Sequence, residues 1–266
     1  MVRNYKSRRM LEFDRGMPNK TDRFTILDVA RQVAGQMVPV NDTFSFFCTT
    51  PIVEEDLKQY VQEPLSALPP SLGKILPPVG LLLVPRLEKS AGRGPALVSF
   101  DAPPEGQSLL VAEATVDDRA IIALATSDVD MSEYHYTLYD AIAGLIAKRA
   151  PTAFLDDFSK LLREELTAEA NGEIREESWE QKQKYLHRTA GNGKRETSLW
   201  ADYQRQALRD TLTLFLHGIC CDIDVEAGPR QLASRYIRKR LELLKNAFPP
   251  PEGYALFPEQ VRRRKT

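Results

Sequence analysis

Residues 134–148 read YHYTLYDAIAGLIAK, and residues 164–169 read EELTAE. Both stretches follow Ser127, where the chain changes from short segments rich in β-forming residues to long segments with helical periodicity. The helical segments cover residues 131–149, 152–186, 196–221 and 229–248, with a break predicted near residues 171–172. We therefore expect the second half of the protein to be almost entirely helical.

The first half of the sequence mixes helical and strand signals. Apolar residues recur at helical spacing over residues 21–37, where Thr21 and Asp22 offer a helix cap, and residues 54–62 resemble another helix. Prolines interrupt residues 65–85, so an ordered apolar connection is expected there rather than a long helix. Aromatic and β-branched residues predict strands at residues 43–49, 96–100, 108–114 and 120–125.

These signals together predict an α+β protein with a small, mainly antiparallel sheet in its first half and a helix-rich second half. A single domain is expected over residues 21–258, strand-containing over 21–126 and helical over 127–258. A basic N-terminal arm at residues 1–20 and a basic tail at residues 259–266 flank it.

Composition favours a soluble cytoplasmic protein. The chain has 266 residues, of which 42% are hydrophobic and 27% are charged, which is ordinary globular usage. Its three cysteines are a poor disulfide framework and indicate a reducing compartment. No apolar run is long enough to cross a membrane, and the N-terminus lacks the apolar core of a signal peptide.

The order of strands, a long helix and a later glutamate-bearing helix resembles the zincin-like metallopeptidases whose third zinc ligand is a glutamate. In that family a His-Glu-x-x-His helix supplies two ligands and the general base. Aligned in this way, Asp140 and Gly144 occupy the two histidine positions and Ala141 that of the base. Glu165 falls at the third-ligand position, 25 residues after Asp140, and Glu169 at that of an acid that orients a histidine.

The resemblance implies a related fold without the usual activity. Gly144 has no side chain to coordinate a metal, and Ala141 cannot accept a proton. Two carboxylates, Asp140 and Glu165, are a weak set for zinc, which prefers nitrogen and sulfur ligands. The resemblance thus implies a non-catalytic metallopeptidase-like domain that keeps a cleft for a protein or peptide partner, with no stoichiometric metal and no cofactor.

The histidines and cysteines suggest a second hypothesis about the function. His217, Cys220 and Cys221 end a strongly apolar helix, and a helix C-terminus disfavours a thiolate, so we expect buried structural thiols. His217 makes no recognised zinc spacing with them. His135, at the start of the long helix, could line a cleft. An alternative function is therefore a hydrolase-type enzyme of unrecognised class that uses His135 or His217 with a carboxylate.

Charge is distributed unevenly along the chain, although the formal net charge is only -1. Residues 101–180 contain 18 acidic and 6 basic residues, whereas residues 229–266 contain 10 basic and 3 acidic ones. The basic termini suggest a third hypothesis, an interaction protein that contacts nucleic acid. Neither terminus interleaves aromatic residues densely enough for base stacking, so we do not expect nucleic-acid binding.

Overall fold

The computed structural model describes residues 24–90, 92, 94–187, 193–221 and 230–257. The predicted basic arms at residues 1–20 and 259–266 lie outside the described residues. Within the described part, the prediction of an α+β protein with strands in the first half and helices in the second is confirmed.

The first helix, α1, covers Ile26–Val33 and is shorter than the sequence predicts. Phe24–Thr25 form strand β1 instead of helix, because they pair with Leu97 and Val98. Thr25 is the N-cap: its hydroxyl accepts from the Asp28 amide, and the Asp28 carboxylate accepts from the Thr25 amide. The predicted cap residues, Thr21 and Asp22, lie outside the described residues.

Five strands form the larger sheet: β2 Val38–Pro39, β3 Phe44–Cys48, β4 Val79–Val84, β8 Val111–Val116 and β9 Arg119–Ala125. Their order is β2-β3-β4-β9-β8. The pairs β3–β4 and β4–β9 are parallel, and the two outer pairs are antiparallel. Five of the seven described strand pairings are antiparallel, as the sequence predicts, and the two parallel pairs lie at the centre of the larger sheet.

Strand β4 lies within the segment expected to be an apolar connection. All six of its residues are buried, because it is the central strand and is covered on both faces. The sequence of a strand buried on both faces is a continuous apolar run, in which apolar and polar residues do not alternate. Prolines 77, 78 and 85 flank the strand rather than interrupt it, so they mark its ends.

A second, smaller sheet is formed by β1, β5 Arg86–Glu88, β6 Leu97–Ser99 and β7 Ser108–Leu109. Its order is β1-β6-β5-β7, and every described pairing in it is antiparallel. The single predicted sheet is thus two sheets in the structure, which meet where β5 follows β4 at Pro85.

Between β3 and β4 the chain forms an irregular helix. It begins as α2 Glu54–Leu57, continues as a π-helical segment Lys58–Gln62, and ends as α3 Glu63–Ser66. The predicted helix over residues 54–62 is present, and it extends one turn further because Pro64 is tolerated near the start of α3.

The described part of the second half contains five longer helices: α4 Met131–Ala147, α5 Thr152–Thr167, α6 Glu176–Leu186, α7 Gly193–Cys220 and α8 Ser234–Ala247. The break predicted near residues 171–172 separates α5 from α6. No helix in the described part of the chain is long and apolar enough to cross a membrane.

The two faces of the larger sheet belong to two hydrophobic clusters. Leu81, Leu83 and Ile122 point into the cluster that the second-half helices complete, whereas Leu82 and Ile121 point towards α1 on the opposite face. Helix α4 packs on β8 and β9 and makes its most extensive contact with α7. It therefore lies between the sheet and α7, and most of its surface is buried.

Candidate metal centre

Helices α4 and α7 run antiparallel along a shared contact, which we call the α4–α7 seam. His135 near the start of α4 meets Cys221 just after the end of α7, and Asp140 meets Arg209 further along. Polar and reactive side chains follow one another along this seam within an otherwise apolar core. The seam therefore contains most of the residues that the sequence marks as candidates.

Side chains of α4 supply hydrogen-bond donors that the π-helical segment lacks. Pro64 has no N–H to offer the carbonyl groups one turn earlier. The Tyr134 hydroxyl donates to the Tyr60 carbonyl at 3.1 Å, and His135 Nε2 lies 2.9 Å from the Gln59 carbonyl. These bonds attach the start of α4 to the irregular helix and fix the orientation of the histidine ring.

The hydrogen bond to Gln59 decides the tautomer of His135. A carbonyl oxygen can only accept, so Nε2 carries the proton and Nδ1 of the neutral ring carries the lone pair. That nitrogen lies 3.6 Å from Cys221 Sγ. A histidine held by a backbone carbonyl through one nitrogen, with the other free to coordinate, is the usual arrangement of a metal-binding histidine.

Cys220 completes a group of three candidate ligands. The ligand atoms of His135, Cys220 and Cys221 all lie within 4.8 Å of one another; the histidine is buried and the thiols are partly exposed. Ligand atoms around a tetrahedral zinc ion lie roughly 3.5 to 4 Å apart, given the usual zinc–nitrogen and zinc–sulfur distances. The His135–Cys221 pair already has that separation, and the third ligand needs only a small side-chain movement.

Tyr139 forms the inner wall of this group. Its hydroxyl donates to the Pro64 carbonyl at 3.0 Å, and its side chain is fully buried. Burial raises the pKa of Tyr139, and a hydrogen bond with the Cys220 thiol raises it further. The residue therefore stays a neutral phenol beside the thiols.

His217 lies one helical turn before the two cysteines. Its ring packs edge-on against Tyr136 and Tyr139, with centroids 5.6 and 6.3 Å away. Burial lowers the pKa of His217, and the nearby His135 lowers it further, against a hydrogen bond with the Ser132 backbone that raises it. The described contacts of His217 and His135 are with aromatic rings, backbone and a thiol, and neither has a described carboxylate partner.

Asp140 stands at the first histidine position of the peptidase alignment, and its carboxylate is bound by two arginines. Arg209 donates from Nε to Oδ1 at 3.2 Å and from Nη2 to Oδ2 at 2.7 Å. Arg175 Nη1 and the Thr213 hydroxyl also donate to Oδ1, at 2.8 and 3.1 Å. These four hydrogen bonds satisfy both carboxylate oxygens, and the two guanidinium groups balance the carboxylate charge.

Gly144 and Ala141 have structural roles on the same helix. A Cβ at Gly144 would lie 3.3 Å from Cζ of Arg209, so the glycine leaves room for the guanidinium that reaches Asp140. Ala141 is buried in the hydrophobic core. The residues at the histidine and base positions of the peptidase alignment therefore fit an arginine rather than a zinc ion.

Glu165, at the predicted third-ligand position, is also paired. Its carboxylate is only 1% exposed and accepts from Arg240 Nε at 3.0 Å and from Nη2 at 2.5 Å. Glu169 is exposed and has a positive φ of 54°, where it ends α5. Asp140 and Glu165 thus bind different arginines, and the five alignment positions do not fit zinc.

The Arg240 guanidinium also binds Glu173, and this buried network is absent from the sequence-based predictions. Glu173 accepts from Arg240 Nη1 at 2.8 Å, from Lys182 Nζ at 3.2 Å and from the Tyr203 hydroxyl at 2.5 Å. Burial alone would raise the pKa of Glu173, but Arg240 and Lys182 hold it below its ordinary value. The helical periodicity of α8 indicates that Arg240 is buried, because Arg240 falls on the same face as buried Ile237 and Leu244.

Comparison of the chain with models of protein families, with curated proteins and with solved structures found no match. The resemblance to zincin-like peptidases therefore stays a prediction based on a few residues.

Proposed function

We propose that this protein is a non-catalytic domain that binds a thiophilic metal ion, zinc, through His135, Cys220 and Cys221. The observation that carries the proposal is the orientation of His135. Its Nε2 is anchored on the Gln59 carbonyl, and its Nδ1 lies 3.6 Å from Cys221 Sγ. A ligand set of one imidazole and two thiols selects soft or borderline ions over magnesium or calcium.

Position in the fold supports the proposal. Cys220 and Cys221 end α7, and His135 lies near the start of α4, so a bound ion would join two helices that are already packed together. Partial exposure of the thiols gives an ion a route from solvent. Since α4 and α7 also share an extensive contact away from these ligands, we expect binding to add stability without being needed for the fold.

The non-catalytic part of the proposal rests on the five positions of the peptidase alignment. The carboxylates of Asp140 and Glu165 are neutralised by arginines, and Ala141 offers no base. The proposal keeps the sequence-based idea of a metallopeptidase-like domain without hydrolysis. It departs from the expectation that no metal is bound, because a different set of residues on α4 and α7 now supplies the ligands.

The other hypotheses stay predictions. An enzyme based on His135 or His217 needs a carboxylate partner, and the described contacts of both rings are of other kinds. Nucleic-acid contact by the basic termini concerns residues outside the described part of the chain. Contact with a protein or peptide partner also stays a prediction.

Calorimetric titration of the reduced protein with zinc, in competition with a chelator, tests the proposal. We expect one ion per chain, and at least roughly tenfold weaker binding for Cys220→Ser, Cys221→Ser and His135→Ala because each loses a ligand. Cys48→Ala is the matched control, since this thiol lies on β3 and is not in the ligand group. No zinc binding by the unaltered protein, or equal loss in the Cys48 variant, would contradict the proposal.

A further inference from the structure

His217 has a buried ring nitrogen whose hydrogen-bonding capacity is unused. Among the described residues, Nε2 of His217 has no hydrogen-bond partner, although it is shielded from solvent. Burying such an atom without a partner is unfavourable, so an unpaired buried nitrogen calls for a functional explanation. A metal ion is a partner that a lone pair on an imidazole nitrogen can bind.

The position of His217 on α7 fits this explanation. His217, Cys220 and Cys221 are spaced i, i+3 and i+4, so their side chains share one helix face. The last turn is intact, because the Cys221 amide donates to the His217 carbonyl at 2.7 Å. His217 and His135 both lie against Tyr139, with ring centroids 6.3 and 6.5 Å from it.

We infer that His217 is a fourth ligand of the metal site, which completes a set of two imidazoles and two thiolates. This inference rests on the proposed function and specifies its coordination. The His217 ring lies outside the group whose atoms are within 4.8 Å of one another, so the inference requires its side chain to rotate towards the cysteines when the ion binds. Rotation about χ1 and χ2 leaves the helix backbone unchanged.

A four-ligand site has a consequence for chemistry. Zinc sites with four protein ligands are closed and structural, whereas catalytic zinc keeps a position for water. Ligation by His217 would leave no open position. The inferred site would therefore fasten α4 to the end of α7 and would not activate water, in agreement with a non-catalytic domain.

Titration with cobalt(II), followed by optical absorption, separates the ligands. The unaltered protein should show thiolate-to-cobalt charge-transfer bands and the intense d–d bands of tetrahedral cobalt. For His217→Gln we expect the charge-transfer bands to remain, the d–d bands to weaken as water replaces the imidazole, and the affinity to fall at least roughly tenfold. His187→Gln is the matched control, because His187 is exposed and distant from the cysteines in sequence.

The possible outcomes are distinct. Equal affinity and equal d–d bands for His217→Gln and the unaltered protein would overturn the inference but leave the three-ligand site intact. Absence of charge-transfer bands in the unaltered protein would instead overturn the proposed function. His217→Asn is measured alongside, so that a folding defect of one variant, detected by circular dichroism, does not prevent a decision.

Discussion

The carboxylate of Asp140 on α4 accepts two hydrogen bonds from the guanidinium of Arg209 on α7, at 2.7 and 3.2 Å. Gly144, one turn further along α4, leaves room for this guanidinium. The residues that stand at the histidine positions of the peptidase alignment are therefore explained by one interhelical contact. Their identity follows from an arginine that is 69 residues away in the sequence.

This contact should stabilise the fold to a measurable degree. We expect Arg209→Ala to lower the free energy of unfolding by about 1–2 kcal/mol, because Asp140 keeps Arg175 and Thr213 as partners. Urea denaturation measures the change. The control is Arg205→Ala, which removes an exposed pair with Asp202 on the same helix and should cost less than about 0.5 kcal/mol. Equal losses for the two variants would argue against a structural role for the Arg209 contact.

A substitution in the buried network of Arg240, Glu165 and Glu173 should lower the free energy of unfolding far more. Arg240→Met leaves the carboxylates of Glu165 and Glu173 without their main partner, and we expect a loss of about 3–5 kcal/mol in unfolding free energy. Adding Glu165→Gln to this variant should recover part of the loss, because it removes one unpaired buried charge. Lys239→Met, an exposed position on the same helix, is the matched control and should change stability by less than about 0.5 kcal/mol.

Asp210 on α7 should make stability depend on pH. Burial raises the pKa of Asp210 to about 6, although Ser178, Arg175 and Gln206 each lower it. The pKa of Asp210 in the folded protein lies above the ordinary 3.8. The stability that its protonated carboxyl group contributes is therefore complete below pH 3.8 and is lost as the pH rises through 6.

Asp210→Asn removes this titration. We expect the variant to be more stable than the unaltered protein at pH 7, by about 3 kcal/mol, and the difference to shrink towards pH 4. Urea denaturation of both proteins at several pH values measures it. A stability difference that stays constant between pH 4 and 7 would show that Asp210 titrates normally in the folded protein.

The bond between Tyr134 and the Tyr60 carbonyl should depend on Pro64. Tyr134→Phe leaves that carbonyl without its donor, and we expect a loss of about 1–2 kcal/mol. In a Pro64→Ala background the new amide can bond the same carbonyl, so the loss caused by Tyr134→Phe should be smaller. A double-mutant cycle measured by thermal or urea unfolding gives the coupling. Additive effects would mean that the proline does not create the need for the tyrosine.

The sequence predicts some features of this protein and not others for identifiable reasons. The helices of the second half follow from their apolar periodicity, and the α+β class follows from the change near Ser127. Strand β4 is not recognised, since a strand buried on both faces has no alternation and its flanking prolines suggest a connection.

For the candidate site, the sequence predicts which residues are reactive but not which residues they contact. His135, Cys220 and Cys221 each stand out by residue type, but His135 and Cys221 are 86 residues apart and only helix packing brings them together. Asp140 and Glu165 also stand out, yet their arginine partners lie 69 and 75 residues away. The sequence identifies individual reactive residues, whereas the fold decides whether each meets a thiol or an arginine.

X-ray absorption at the zinc edge of the zinc-loaded, reduced protein shows whether Cys220 and Cys221 bind the ion. We expect two sulfur ligands at about 2.3 Å and imidazole nitrogen at about 2.0 Å in the first coordination shell. Cys48→Ala should give the same spectrum, and Cys221→Ser should lose one sulfur. A first shell made only of oxygen and nitrogen would rule out the proposed zinc site, because it would place the ion away from Cys220 and Cys221.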